Sequence, residues 1–227
     1  MASILFGLVV VDARGKLGGH VFTKVRSGNT LRTKSMPTNP RTPRQQTMRA
    51  ALGTLSSNWR ALTASQRLTW INSVNNFVRT NVFGVAYAPS GKNLYVSLNQ
   101  NLANVGASPI VDAPIPQSVI APNVSEMAIT LSGSSIEFTF DTGAAGQSLL
   151  ISATRPVSPG KYYMDNEFRI VDTYDQTTAS AVNIWAAYVA IFGIPTLEQK
   201  IFLKVVPVNE TSGQTGVIEM TNALVEV

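Results

Sequence analysis

Residues 136–153, IEFTFDTGAAGQSLLISA, carry the pattern that decides the fold of the second half of the chain. Ile136, Phe138 and Phe140 alternate with polar residues, and a second strand-like run, 148–153, follows the glycine-containing turn TGAAG. Apolar residues with a period of two, broken by a turn, are typical of neighbouring β-strands that each bury one face. The stretch therefore predicts two consecutive strands of one sheet.

The same style continues on both sides of this stretch. Serine- and glycine-rich turns separate five further strand-like segments, at residues 127–131, 168–171, 183–192, 200–206 and 216–220. Seven short strands within about 100 residues are typical of an immunoglobulin or fibronectin type III-like β-sandwich. The chain contains no cysteine, which excludes the disulfide of an antibody-type domain but not the sandwich.

A proline-rich stretch precedes these strands. The sequence GASPIVDAPIPQSVIAP, residues 106–122, contains four prolines and predicts a semi-extended linker. We therefore expect three parts: a basic arm and helical anchoring domain (1–105), the linker (106–121) and the sandwich (122–227). The predicted fold class is α+β, with an N-terminal basic β-hairpin arm and short helices followed by the all-β sandwich.

Three helices are predicted upstream of the linker. The first begins near Thr42 with Pro43 at its first position. Thr63 and Gln66 match a capping box that starts the second, and a third runs from a Ser90 cap to Gly106. The apolar stripe of the first helix is Met48, Ala51, Leu52, Leu55, Trp59 and Leu62, and that of the second is Leu68, Trp70, Ile71, Val74 and Phe77. Trp59 and Trp70 are interpreted as packing anchors between these helices.

The N-terminal segment predicts short strands around tight turns. Residues 4–11 and 20–25 alternate between apolar and other residues, with glycines between the two runs. The stretch GKLGG lacks the spacing of a phosphate-binding Walker loop. The apolar run 3–11 follows no positive charge, so we interpret it as a strand rather than a signal peptide. No run of about 18 apolar residues occurs, and we expect no membrane span.

Charge divides the chain more sharply than its net value of +5 indicates. Up to Val105 there are 13 basic residues and one acidic residue, net +12, while the remainder has five basic and 12 acidic residues, net −7. Such asymmetry predicts two domains in different environments, with the basic first domain facing an acidic partner. The predicted docking arm, in contact with protein or DNA, comprises nine cations: Arg14, Lys16, Lys24, Arg26, Arg32, Lys34, Arg41, Arg44 and Arg49.

Residues for catalysis are scarce. The single histidine, His20, lies in the basic arm, so neither a histidine metal cluster nor a Ser-His-acid triad is predicted. The acidic cluster of Asp165, Glu167, Asp172 and Asp175 does not have EF-hand spacing, and we interpret it as solvated loop charge. We expect no enzyme activity, no catalytic residue, no metal and no cofactor.

Several motifs together resemble a protein family. The succession GKLGGHVFTKVRSGNTLRTK, PTNPRTPRQQTMR, WRALTASQRLTWINSV and PSGKNLYVSLNQNLANVG resembles small virion-associated proteins of tailed bacteriophages, crAss-like phages among them. The resemblance covers about the first 105 residues. It implies a virion structural protein with a fibronectin-like C-terminal part, and it transfers no catalytic or binding residue.

Composition and resemblance together predict a virion component. Charged residues make up only 14% of the chain, which is low for a free monomer and suggests that partners cover much of its surface. We expect a capsid decoration or minor head protein, oligomeric in the particle, whose arm contacts capsid, portal or tail subunits or packaged DNA.

Three other functions stay open at this point. The chain fits a tail or head-tail connector protein nearly as well as a decoration protein. A soluble DNA-binding protein would use the arm and helices as its binding domain. A carbohydrate-binding module would rest on Tyr162, Tyr163, Tyr174 and Trp185, which we place in sandwich strands instead.

Overall fold

The computed structural model describes residues 2–8, 10, 12–36, 38–143, 145–177 and 181–227. The chain forms two compact units: a first unit up to Ser97 together with Val111–Ala113, and a second unit of Leu98–Ile110 together with Pro114–Val227. Helices make up 25% and strands 31% of the chain, so the predicted α+β class is confirmed. The predicted domain limits and the immunoglobulin or fibronectin type III-like sandwich stay predictions.

A four-stranded antiparallel sheet forms the N-terminal part of the first unit. Its strands are β1 (Ala2–Ile4), β2 (Gly15–Leu17), β3 (His20–Val25) and β4 (Gly28–Thr33), in the order β1-β4-β3-β2. Because β1 and β2 lie at opposite edges, their connection must cross one face of the sheet. We call this connection, residues 5–14, the strap; the structure describes all of it except residues 9 and 11.

The strap corrects the predicted strand over residues 4–11. β1 ends at Ile4, and residues 5–8 are not in a strand. Phe6 of this run instead contacts the sheet face, where its ring lies 6.3 Å from that of Phe22. A strand that continued past Ile4 along the edge could not reach β2 on the other side.

The helices of the first unit begin where the sequence predicts. Helix α1 (Pro43–Ala61) starts at a Thr42 cap, and α2 (Ala64–Ser73) has the full Thr63–Gln66 capping box. A 3-10 turn (Val74–Asn76) and a small hairpin of β5 (Arg79–Thr80) and β6 (Ala86–Tyr87) follow. Helix α3 (Gly91–Asn104) begins after Ser90, whose hydroxyl accepts from the Asn93 N–H, and the chain turns at Gly106 with φ +75°.

Seven strands form one sheet in the second unit. They are β7 (Ser125–Thr130), β8 (Ser135–Thr139), β9 (Gln147–Ala153), β10 (Arg169–Asp175), β11 (Val182–Asn183), β12 (Lys200–Asn209) and β13 (Glu219–Glu226). Their order is β10-β9-β12-β13-β7-β8-β11. All pairs are antiparallel except β13 with β7, which is parallel.

The sheet of the second unit curls around its core, and the part that contains β7, β8 and β11 has the form of a half-barrel. Its two edge strands come close together, since the Tyr174 hydroxyl of β10 donates to the Asn183 carbonyl of β11 over 3.4 Å. Helix α4 (Trp185–Phe192) packs against both β8 and β10. Side chains from β7, β8, β9, β12 and β13 therefore share one core cluster with Tyr188 of α4.

Two strand predictions in this unit are wrong in detail. Residues 183–192 were expected to be one strand, but only Val182–Asn183 is extended and Trp185–Phe192 is helical. The apolar residues of this segment recur at helical spacing: Ile184 and Tyr188 are buried, and Trp185, Val189 and Phe192 pack against the core. The last strand covers Glu219–Glu226 instead of 216–220.

Spanning a bilayer requires a helix of about 20 mostly apolar residues. Among the described residues, no helix is both long and apolar enough to cross a membrane.

Candidate docking site

The nine arm cations are all exposed in the structure. Lys16, Lys24 and Arg32 lie on strands, and Arg26 lies in the β3–β4 turn. Arg14 and Lys34 flank the sheet, Arg41 precedes α1, and Arg44 and Arg49 lie on its first turns. The sequence hypothesis of a docking arm therefore corresponds to a folded sheet followed by a helix start, and both present positive charge to solvent.

Local contacts already hold four of the nine cations. Lys24 and Arg14 form ion pairs with Asp12 at 3.1 and 3.7 Å. The hydrogen bond from Lys24 lowers the pKa of the Asp12 carboxyl. Arg26 donates to the carbonyls of Ala88 and Pro89 at 3.4 and 3.3 Å. Arg49 donates to the Asn39 side chain at 2.8 Å. The lone acid of the arm region thus fastens the strap to β3.

The other five arm cations lack such contacts. Lys16, Arg32, Lys34, Arg41 and Arg44 make no side-chain hydrogen bond or ion pair with any residue that the structure describes. Lys16 and Arg32 both lie opposite Val21, so they share one face of the sheet. Two strand spacings separate their backbones, about 10 Å. This face is therefore a small cationic surface with both charges available to a partner.

The opposite face of the sheet contains an apolar cavity. The strap and the end of β2 border an open cavity of about 420 Å³, and the described lining residues are Phe6, Val10, Ala13, Arg14, Gly15, Lys16, Leu17 and Phe22. Leu17 lies at its mouth and is 70% exposed. Gly15 and Leu17 pair with Phe22 and His20 of β3, so they lie on the cavity side of β2. The Lys16 side chain leaves β2 on the opposite side, although Lys16 also lines the cavity at the strand edge, where the two sides meet. The edge of β2 thus separates an apolar surface from a cationic one.

A second cavity lies at the other end of the sheet. This open cavity of about 350 Å³ lies between the start of the strap, the β3–β4 turn and the β5–β6 hairpin. The side chain of Asn81 fixes this arrangement, since its amide donates to the Ser27 carbonyl at 2.7 Å and its oxygen accepts from the N–H groups of Phe83 and Val85. The basic hairpin is therefore attached to the helical part of the first unit.

No known family model matches the chain, and neither a curated protein nor a solved structure matches it. The resemblance to tailed-phage proteins therefore stays a prediction.

Both tryptophans of the helical part contact Tyr95 of α3. Trp70 is fully buried, with its ring 5.2 Å from that of Tyr95, and its indole N–H donates to the Val111 carbonyl at 2.7 Å. Trp59 is half-buried, 5.4 Å from the same ring. Other residues of the apolar stripes of α1 and α2 are less buried than the tryptophans. Met48, Leu52, Leu68 and Ile71 are each more than half exposed.

The acidic cluster does not converge. Glu167 pairs with Arg155 at 2.7 Å, Asp172 accepts from the Thr173 N–H, and Asp175 accepts from the Thr177 N–H. Within the described ranges, no group of three or more histidine or carboxylate side chains is placed to hold a metal ion.

Of the four aromatic residues considered for sugar binding, Tyr174 lies in a strand, β10, as expected, and the other three do not. Tyr162 and Tyr163 lie in the β9–β10 loop rather than in strands and are exposed, and Lys200 lies 5.3 Å from the Tyr162 ring. Tyr174 and Trp185 are half-buried against the core of the second unit. The four rings therefore do not form one flat surface in a single strand, as a sugar-binding platform of sandwich residues would require.

Sequence reasoning missed the cavity beside β2. The signal was the composition of the strap, where Phe6 and Val10 stand in a ten-residue connection between two short strands. The connection covers a sheet face only because of the strand order β1-β4-β3-β2, which depends on pairing between β1 and β4.

Proposed function

We propose that this chain is a structural protein of a tailed-phage virion, a capsid decoration or minor head protein that docks through its basic arm. The observation that carries the proposal is the arrangement of the nine arm cations: all are exposed, and five make no side-chain hydrogen bond or ion pair with a described residue. Positive charge held in this way by a folded sheet favours attachment to an acidic surface. The resemblance to tailed-phage proteins is the reason for proposing a virion as the assembly to which the arm attaches.

The second unit supports the proposal through its strand order. We propose that it is an immunoglobulin or fibronectin type III-like sandwich. One part of the sheet contains the neighbouring strands β7, β8 and β11, and the other contains β10, β9, β12 and β13. The parallel pair of β7 and β13 joins the two parts. Such a module suits the part of a decoration protein that projects from a shell, because its loops gather at the ends of the strands.

The proposal is tested by exchanging arm charge for amide. A triple variant, Lys16→Gln, Arg32→Gln and Lys34→Gln, removes three exposed arm cations. Its matched control removes three exposed cations elsewhere: Arg60→Gln, Lys92→Gln and Lys161→Gln. Both variants have the same net charge. We expect mass spectrometry of purified particles to detect the control at wild-type copy number and the arm variant at less than a tenth of it.

Other outcomes point to the competing functions. Equal incorporation of both variants would refute docking through the arm. A wild-type protein that never copurifies with particles, but binds duplex DNA with a steep salt dependence, would favour a soluble DNA-binding protein. A few copies per particle rather than capsid stoichiometry would indicate a tail or head-tail connector.

A further inference from the structure

We propose that the outer edge of β2 is a strand-addition site for an extended segment of a partner protein in which apolar and acidic side chains alternate. The inference rests on the proposed docking function of the arm and names the class of partner that the arm takes.

The edge of β2 offers backbone groups for another strand. β2 is the last strand of its sheet, and a two-residue Gly18-Gly19 turn joins it to β3 after the pair Leu17–His20. A two-residue hairpin closes on a hydrogen-bonded pair, so the next residue, Lys16, directs its N–H and C=O away from β3. Neither group bonds to another part of the described chain. These groups are a template for one more strand.

The two sides of this edge differ in chemistry, and that difference sets the partner's pattern. Gly15 and Leu17 lie on the side of the apolar cavity, while Lys16 lies with Arg32 on the cationic side. Side chains of an added strand alternate between the same two sides. One set of partner side chains therefore enters or covers the apolar cavity, and the other set meets Lys16 and Arg32.

The cavity needs an apolar occupant. Its walls are the rings of Phe6 and Phe22 with Ala13 and Leu17, and 70% of Leu17 is exposed at the mouth. Two cations belong to this lining: Arg14 is already paired with Asp12, and Lys16 lies at the strand edge. A valine or leucine side chain of an added strand would cover Leu17 and remove apolar surface from water.

The charge at the edge selects an acidic partner over a second copy of this chain. Antiparallel pairing of two β2 strands about Lys16 would place two ammonium groups opposite each other, which destabilises the pair. A lysine on an edge strand is also a common protection against pairing between like edges. Duplex DNA would match the positive charge, but it has neither a strand edge nor an apolar side chain for the cavity. An alternating acidic and apolar strand matches all three features.

Proline at position 16 provides a sharp test, because the N–H that it removes points away from β3. The hairpin is therefore expected to tolerate Lys16→Pro, as edge strands tolerate proline whose N–H side faces solvent. Lys16→Gln removes the same charge but keeps the N–H. Leu17→Asp places a negative charge at the cavity mouth, and because Leu17 is exposed we expect this variant to fold. It therefore tests the site even if Lys16→Pro does not fold.

The probe is a fluorescein-labelled peptide, Thr-Val-Asp-Val-Asp-Val-Thr, with blocked ends, titrated with full-length protein and followed by anisotropy. We expect the wild-type protein to bind one peptide per chain. Lys16→Pro should lower the affinity at least tenfold, and Lys16→Gln should lower it by less than about threefold. Leu17→Asp should not bind the peptide. The control peptide, with lysine in place of aspartate, should not bind. Circular dichroism verifies that each variant keeps the wild-type fold.

Four results would overturn the inference. Equal loss in Lys16→Pro and Lys16→Gln would mean that charge alone binds the peptide. Binding of duplex DNA without binding of the peptide would assign the edge to nucleic acid. A dimer in sedimentation that Lys16→Pro abolishes would assign it to a second copy. If the folded wild-type protein binds neither the peptide nor DNA, an alternating acidic and apolar strand is not the partner of this edge.

Particle incorporation separates this inference from the proposed function. Absence of Lys16→Pro from particles that still contain Lys16→Gln would support strand addition in the assembly. Normal incorporation of both single variants, together with loss of the triple arm variant, would refute strand addition and leave docking through the arm in place. Failure of the wild-type protein to copurify would refute the docking function itself.

Discussion

Replacing Gly213 with alanine tests how the loop between β12 and β13 packs on the C-terminal half of α3, which belongs to the second unit from Leu98 onward. Gly213 has φ +69°, and an added Cβ would lie 2.3 Å from the Leu98 carbonyl oxygen and 3.1 Å from Leu102. The loop cannot retreat freely, because the Gly213 N–H donates to the Asn209 carbonyl and its own carbonyl accepts from the side chain of Asn101. The substitution must therefore move either the loop or the helix.

The expected loss has two parts. A left-handed backbone costs a residue with a Cβ about 1–2 kcal/mol. Overpacking a close contact costs about 1–3 kcal/mol more. We therefore expect Gly213→Ala to lower the free energy of unfolding by about 3 kcal/mol, which lowers the melting temperature of a unit of this size by about 10 °C.

Two other glycines of the same unit supply matched controls. Gly146 has φ +83° with no atom within 4 Å of an added Cβ, so Gly146→Ala isolates the backbone contribution. Gly160 has open space and no left-handed φ, so Gly160→Ala should be neutral or slightly stabilising. Thermal unfolding by circular dichroism should rank the variants Gly213, Gly146 and Gly160 from most to least destabilised. A Gly213→Ala protein as stable as Gly146→Ala would refute the contact between the loop and α3.

Three further predictions concern single side chains. Burial and the nearby Asp172 carboxylate raise the pKa of Tyr174 to about 12, so its contribution to stability is present below pH 10 and is lost as the pH rises toward 12; alkaline unfolding of Tyr174→Phe should lack this contribution. Thr63→Ala removes the hydroxyl that accepts from the Gln66 N–H and should cost about 1 kcal/mol in urea unfolding, with Thr63→Ser close to wild type. Trp70→Ala empties a fully buried site and should cost about 4 kcal/mol, and a loss below about 1 kcal/mol would contradict its role as an anchor.

Local rules explain why the helix starts were predictable. The caps at Thr42, Thr63 and Ser90 each depend on a side chain and an N–H three residues away, and the structure contains all three hydrogen bonds. No distant residue has to be known for such a contact. Residues 183–192 are a different case, because a short apolar run fits a buried strand and a buried helix equally well. The core of the second unit decides in favour of the helix.

The candidate site divides in the same way. The charge of the nine arm cations follows from composition alone, because residues 14–49 contain no acid and Asp12, just before them, can neutralise only a small part of it. The cavity beside β2 depends on pairing between β1 and β4, far apart in the sequence, and on the strap that this pairing sends across the sheet. Charge was therefore predictable, and the shape that gives the charge a specific partner was not.

Charge by itself cannot make the arm specific. The first unit has 13 basic and two acidic residues, net +11, and the second has five basic and 11 acidic residues, net −6. Opposite net charges favour contact between the first unit of one copy and the second unit of another. A docking arm must prefer its partner over this abundant competitor. Electrostatic attraction accelerates the encounter with the partner and the encounter with another copy alike. Backbone hydrogen bonds and buried surface are gained only with a partner that supplies a strand for Lys16 and an apolar side chain for the cavity. We therefore expect the specificity of the proposed docking to come from the edge of β2, and salt to weaken the contact between copies far more than the docked one.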